Sequence, residues 1–112
     1  RFGLLVAQGS AEARQLAQER TWDKLNPEQR LHGLAVLGRL DNRVALSRPT
    51  QPMLHCLGAL DALVPEQAAQ AIAALHDGSQ VAVHAQAGHA LPLEQPLWLA
   101  EQIAGWLERR HA

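Results

Sequence analysis

The chain has 112 residues, of which 47% are hydrophobic and 19% charged, a composition typical of one soluble globular domain rather than of a disordered chain. A formal net charge of −1 gives no overall field that would attract nucleic acid or an acidic membrane surface, and no apolar run is long enough to span a bilayer. We therefore expect neither nucleic acid nor a membrane as a partner. The single cysteine, Cys56, excludes an internal disulfide and makes the cytoplasm the expected compartment.

The first part of the chain has a helical pattern. Leucine and alanine recur there at helical spacing, and Asn26 followed by Pro27 is a typical helix start, with asparagine as the N-cap and proline in the first turn. Two prolines within residues 49–52 then prevent a helix from continuing and favour extended chain. We therefore divide the chain into a helical segment, residues 1–47, and a second segment, residues 48–112.

The second segment alternates between strand and helix patterns. Residues 53–57 and 80–85 are short apolar runs typical of strands, residues 65–75 have helical spacing, and a final amphipathic helix begins at Pro96. The order strand, helix, strand predicts a parallel crossover and an α/β fold. Two strands alone would leave both sheet edges open. We therefore expect the sheet to be completed by a second copy of the chain or by an amino-terminal part of a longer polypeptide.

Two polar residues follow the predicted strands. Asp61 comes after the first strand and His89 after the second, and in a parallel sheet the carboxyl ends of neighbouring strands lie side by side. An aspartate beside a histidine fixes the tautomer of the imidazole and stabilises its protonated form, which are the requirements of a general base. The alternative is that Asp61 caps the following helix and that His89 is an ordinary loop residue.

The residues around this pair resemble a known family. The stretch LGALDALVP, residues 57–65, and the stretch AGH, residues 87–89, are similar to the last two triad segments of α/β-hydrolases. Residues 1–15 resemble the cap of the carboxylesterases that act on pimeloyl-acyl-carrier-protein methyl ester in biotin synthesis. The resemblance covers essentially the whole chain. It implies the carboxy-terminal portion of an α/β-hydrolase, with a helical cap at residues 1–47 followed by a β-α-β-α core with parallel strands.

The resemblance also implies roles for individual residues. Asp61 would be the triad acid and His89 the general base, with no cofactor and no metal. Arg1 and Arg14 would belong to a basic cap surface that meets the acyl carrier protein bearing the ester, although as isolated residues they could equally be solvated helix charges. The acyl pocket would be lined by His89 together with Phe2, Gly3, Leu4, Leu5 and Val6.

One feature of the family is absent from the sequence. No G-x-S-x-G turn, which would present the nucleophilic serine, occurs in the 112 residues. Because the triad order in this fold is serine, acid, histidine, we expect the serine to precede Arg1 and the chain alone to be inactive. Two alternatives stay open: another α/β-hydrolase activity, such as that of a short-chain esterase, lactonase or carbon–carbon bond hydrolase, and a non-catalytic fragment that assembles with itself.

Overall fold

The computed structural model describes residues 26–48 and 50–111, together with Ala11, Arg14 and Gln15. The order of elements in these ranges is two helices, a strand, a helix, a second strand and two final helices. The sequence predicts this order except for the short helix at Leu91–Glu94, which it treats as part of the loop before the last helix. Their bounds are α1 (Pro27–Arg39), α2 (Arg43–Ser47), β1 (Met53–Gly58), α3 (Gln67–Leu75), β2 (Ser79–His84), α4 (Leu91–Glu94) and α5 (Pro96–His111). The predicted α/β class is confirmed.

Helix α1 begins at the predicted residue and is fixed there by local hydrogen bonds. The Asn26 side chain accepts the backbone N–H of Gln29 at 2.9 Å, and the Gln29 side chain accepts the backbone N–H of Asn26 at 3.1 Å. This reciprocal pair is a capping box, and Pro27 occupies the first turn. No residue of α1 is buried, and Leu31 and Leu34 are 67% and 58% exposed. The helix is therefore specified by its own sequence rather than by burial of its apolar face.

Strands β1 and β2 pair in parallel, from Met53 opposite Ser79 to Gly58 opposite His84. Helix α3 connects them and packs against β2, with the small residue Ala69 buried. The crossover predicted from the sequence is thus confirmed. Because the strands are parallel and in register to their last residues, the loops that follow them leave the same edge of the sheet.

The best-buried residues of the described ranges lie around that edge. Ala87 is completely inaccessible, and Leu57 and Leu91 are 8% and 5% exposed. Leu57 is the second-last residue of β1, Ala87 lies in the loop after β2, and Leu91 is the first residue of α4. The best-buried residues therefore support the two loops that carry Asp61 and His89, and such burial restricts the movement of these loops relative to each other.

Helix α5 packs against β1 and covers it incompletely. Residues 52–56 and the side chains of Leu99, Ile103 and Trp106 border an open cleft of about 490 Å³. Ile103 and Leu107, two apolar residues of the predicted amphipathic helix, are 43% and 45% exposed. None of the helices within the described ranges, α5 with its 16 residues included, combines the length and the apolarity needed to cross a membrane.

Candidate active site at the carboxyl ends of the strands

Asp61 and His89 are in direct contact. Nδ1 of His89 lies 2.9 Å from Oδ2 of Asp61, although the two residues are 28 positions apart in the sequence. The Asp61 side chain is 7% exposed, whereas that of His89 is 39% exposed. The buried acid therefore anchors an imidazole that stays accessible from outside, which is the arrangement needed for proton transfer to a bound molecule.

The second oxygen of Asp61 fixes the carboxylate to its own loop. Oδ1 accepts the backbone N–H groups of Leu63 at 2.8 Å and of Val64 at 3.0 Å. Asp61 thus organises its own loop and also pairs with His89. It does not cap α3 as the alternative expects, because the N-cap of that helix is Glu66, which makes no side-chain cap hydrogen bond. Burial raises the pKa of the Asp61 carboxyl, but the hydrogen bonds from Val64, Leu63 and His89 outweigh burial and hold the pKa below its ordinary value. Asp61 is therefore ionised at neutral pH.

The ionised carboxylate decides the tautomer of His89. A carboxylate can only accept hydrogen bonds, so Nδ1 of a neutral His89 must carry the proton that it donates to Asp61. Nε2 then presents a lone pair, and no hydrogen bond occupies it among the residues that the structure describes. A neutral imidazole in this state can take a proton at Nε2, and the adjacent carboxylate stabilises the imidazolium that forms.

Gly58 lets the two loops approach closely. The backbone N–H of Leu60 donates to the carbonyl of Ala87 at 2.9 Å, and that of Ala59 donates to the carbonyl of His84 at 2.9 Å. These bonds continue the strand pairing beyond β1. A β carbon at position 58 would collide with the carbonyl oxygen of Ala87, so only glycine fits. The sequence marks Gly58 as a strand end, but gives no signal of what it packs against.

Glu94 is a further residue near the site that sequence reasoning missed. Its Oε1 accepts the backbone N–H of Gly88, the residue before His89, at 2.8 Å. The only sequence signal is an acid six residues after a glycine, in the short stretch between β2 and α5. Such spacing has no regular period, so it does not by itself predict a contact.

The remaining predicted site residues lie at or beyond the limits of what the structure describes. Arg1 and the residues from Phe2 to Val6 fall outside the described residues, so their predicted roles in carrier-protein and acyl binding stay predictions. Arg14 is helical and exposed. Exposure allows Arg14 to meet a partner and is equally expected of a solvated helix charge.

Cys56 in β1 and His84 at the end of β2 are two further residues whose side chains could take part in chemistry. Cys56 is half-buried, and burial raises the pKa of its thiol, which keeps the sulfur protonated at neutral pH. His84 accepts the N–H of Gln86 at Nδ1, and its ring meets the ring of Trp98 edge-on at 5.0 Å. Within the described ranges no cluster of three or more histidine, cysteine, aspartate or glutamate side chains could hold a metal ion.

The parallel strand pair, with an acid after one strand and a histidine after the next, defines part of an α/β-hydrolase. The serine hydrolase family FSH1 matches residues 5–98, which is most of the chain. The chain therefore belongs to the serine hydrolases of the FSH1 family. The resemblance to α/β-hydrolases that the sequence suggests is confirmed.

Individual relatives are similar over nearly the whole chain. The biotin biosynthesis bifunctional protein BioHC of Saccharophagus degradans is 40% identical over 117 residues, which cover 100% of this chain and 20% of that relative. BioHC of Cellvibrio japonicus is 37% identical, with 96% of this chain and 22% of the relative covered. The pimeloyl-[acyl-carrier protein] methyl ester esterase of Vibrio vulnificus is 33% identical, with 92% of this chain and 42% of the relative covered. The chain thus spans a fifth to two fifths of the length of these relatives.

Proposed function

We propose that this chain supplies the acid and the general base of a serine carboxylesterase that hydrolyses the methyl ester of pimeloyl-acyl-carrier protein in biotin synthesis. The observation that carries the proposal is the hydrogen bond between Asp61 and His89 at the carboxyl edge of the parallel strands. Membership of the serine hydrolase family supports the reaction type. The names of the relatives from Saccharophagus and Vibrio support the substrate and the pathway.

In this proposal the nucleophile comes from another part of the polypeptide. The 112 residues contain no G-x-S-x-G turn, and the relatives are more than twice as long as this chain. The oxyanion hole, which needs donors close to the nucleophile, is assigned to the same part. The isolated chain would then be inactive, because His89 would have no hydroxyl to deprotonate.

The reaction would proceed through an acyl-enzyme. Nε2 of His89 takes the proton of the serine hydroxyl as the serine oxygen attacks the ester carbonyl. The resulting imidazolium returns this proton to the methoxide as the carbon–oxygen bond breaks, and methanol leaves. His89 then takes a proton from water, the hydroxide attacks the acyl group, and the proton passes back to the serine oxygen. Asp61 stays ionised throughout and holds the imidazole in the reactive tautomer.

The substrate contacts of the proposal fall on the amino-terminal segment. We assign residues 1–47 to a helical cap over the site and residues 48–112 to the core. Phe2 to Val6 would contact the acyl chain, and Arg1 and Arg14 would contact the acidic surface of the carrier protein. Arg14 is exposed, so it is accessible to such a partner. The pathway and the single cysteine together favour a cytoplasmic enzyme.

The test uses the complete polypeptide that carries this chain. Methanol release is measured from pimeloyl-acyl-carrier-protein methyl ester and, for comparison, from a panel of short-chain esters and lactones. His89→Ala should lower turnover by roughly four to six powers of ten, the range measured for triad residues in serine proteases. His111→Ala, which removes an exposed histidine from α5, is the matched control and should leave turnover unchanged.

Three results separate the alternatives. Turnover that is highest on a panel ester would favour another α/β-hydrolase activity. Folded His89→Ala protein with wild-type turnover would show that this site is not catalytic. No turnover on any substrate, together with a stable self-association of the chain, would favour the non-catalytic fragment.

A further inference from the structure

The loop that carries His89 is closed by a side chain. Helix α4 starts two residues after His89, and Glu94 at its end reaches back to accept the backbone N–H of Gly88 at 2.8 Å. Residues 88–94 therefore form a closed ring of chain that contains His89. Leu91, which is 5% exposed, anchors this ring to the protein interior.

The Glu94 carboxyl has one oxygen that accepts a hydrogen bond and one that is buried without a partner among the described residues. Its Oε2 is inaccessible to solvent and has no hydrogen-bond partner within the described ranges. Burying a carboxyl oxygen without a partner costs free energy, and an apolar side chain at this position would avoid that cost. The contact with Gly88 is the interaction of Glu94 that the structure shows, so it is the contribution that offsets this cost.

The contact acts on the backbone immediately before the base. On one side, the carbonyl of Ala87 accepts the N–H of Leu60 at 2.9 Å, which joins the His89 loop to the Asp61 loop. On the other side, the N–H of Gly88 donates to Glu94. Both bonds hold the single peptide unit that joins Ala87 to Gly88, whose carbonyl and N–H groups point in opposite directions. The direction in which Nε2 points is therefore set by backbone restraints as well as by the bond to Asp61.

We infer that Glu94 is a positioning residue, which holds the His89 loop so that Nε2 faces the reacting serine. This inference rests on the proposed function and deepens it. A displacement of about 1 Å can cost roughly a hundredfold in rate, so losing this restraint should lower kcat by about tenfold to a hundredfold. Substrate binding should not change, because Glu94 is not assigned to the acyl pocket or to the carrier-protein surface.

The experiment compares three substitutions of Glu94 in the complete polypeptide. Glu94→Ala and Glu94→Met both remove the acceptor oxygen, and the second also preserves the side-chain volume. Glu94→Gln keeps an acceptor oxygen at the same place. Glu101→Ala, which removes an exposed acid from α5, is the matched control. Ester turnover gives kcat and KM, circular dichroism checks folding, and the exchange rate of the Gly88 amide proton reports the hydrogen bond directly.

The expected result is a lower kcat with an unchanged KM in Glu94→Ala and Glu94→Met, faster exchange at Gly88 in both, and restoration of both properties in Glu94→Gln. If the alanine variant does not fold, the methionine variant carries the same test. A folded variant without the acceptor that keeps wild-type kcat would overturn the inference. So would a loss of kcat that Glu94→Gln does not restore.

Failure of the inference can be told apart from failure of the proposed function. If His89→Ala abolishes turnover while the Glu94 variants keep it, the triad assignment stands and only the positioning role is wrong. If the wild-type polypeptide shows no ester turnover, or His89→Ala keeps it, the proposed function itself is wrong.

Discussion

Gly58 lies directly against the carbonyl of Ala87, at the point where the two site loops meet. A β carbon on Gly58 would lie 2.5 Å from the carbonyl oxygen of Gly88 and closer still to that of Ala87. Both obstacles are backbone atoms, which cannot rotate away as a flexible side chain can. The Asp61 loop and the His89 loop can therefore approach this closely only because residue 58 has no side chain.

The first prediction is that Gly58→Ala separates these loops. The added methyl group must push the backbone at residues 87–88 away, which should destabilise the protein by about 1–3 kcal/mol. Turnover should fall as well, because His89 moves with that backbone. Urea unfolding and ester turnover measure the two effects. Gly33→Ala is the control: a β carbon at position 33 of α1 meets nothing within 4 Å, so alanine should be neutral or stabilising there.

Unchanged stability and turnover in Gly58→Ala would contradict this view of the site. A loss of both in Gly33→Ala, by contrast, would show that the assay responds to any glycine substitution.

The second prediction concerns the tautomer of His89. In Asp61→Asn the amide can donate a hydrogen bond to Nδ1, which would move the imidazole proton to Nε2 and remove the basic lone pair from the reacting side. Turnover should fall by roughly 10⁴, as in the corresponding serine protease variant. Asp77→Asn, which changes an exposed aspartate in the turn before β2, should keep full turnover.

The nitrogen-15 shifts of the His89 ring would report the tautomer directly. An Nδ1–H tautomer that persists in folded Asp61→Asn would contradict the mechanism, even if turnover fell.

The sequence predicts the parts of the site that follow from regular patterns. A proline and a glycine bracket β1 and a proline begins α5, and the crossover between parallel strands brings Asp61 and His89 to the same edge. The contacts of Gly58 and Glu94 depend on how two irregular loops fold onto each other, and no periodicity encodes that. The exposure of α1 was also beyond sequence reasoning, because an apolar stripe predicts burial without naming the surface that covers it.

The third prediction is a loss of stability in acid that depends on Asp61. The pKa of this carboxyl is lowered in the folded protein from the ordinary value of 3.8, so the folded state binds the proton less readily than the unfolded chain. Asp61 therefore contributes stability above pH 3.8, and this contribution is lost as the pH falls through the folded-state pKa. Asp61→Asn should be less stable than wild type at neutral pH, and the difference should shrink in acid.

Urea unfolding at a series of pH values from about 7 down to about 2 measures that difference, because the contribution is lost only below the ordinary pKa of the carboxyl. The same series on Asp77→Asn shows what removing an exposed carboxylate does by itself. A difference between wild type and Asp61→Asn that stays constant with pH would mean that Asp61 titrates alike in both states.

The fourth prediction is that Cys56 reacts slowly. Burial in the centre of β1 raises the pKa of its thiol, and the thiolate is the form that alkylating reagents attack. Iodoacetamide at neutral pH should therefore modify Cys56 much more slowly in the native protein than in urea. Mass spectrometry of the peptide that contains Cys56 identifies the site in the complete polypeptide. Alkylation at the rate of a free cysteine in the native state would contradict the half-buried environment of this thiol. A loss of ester turnover after alkylation would give Cys56 a part in the site that its place in β1 does not predict.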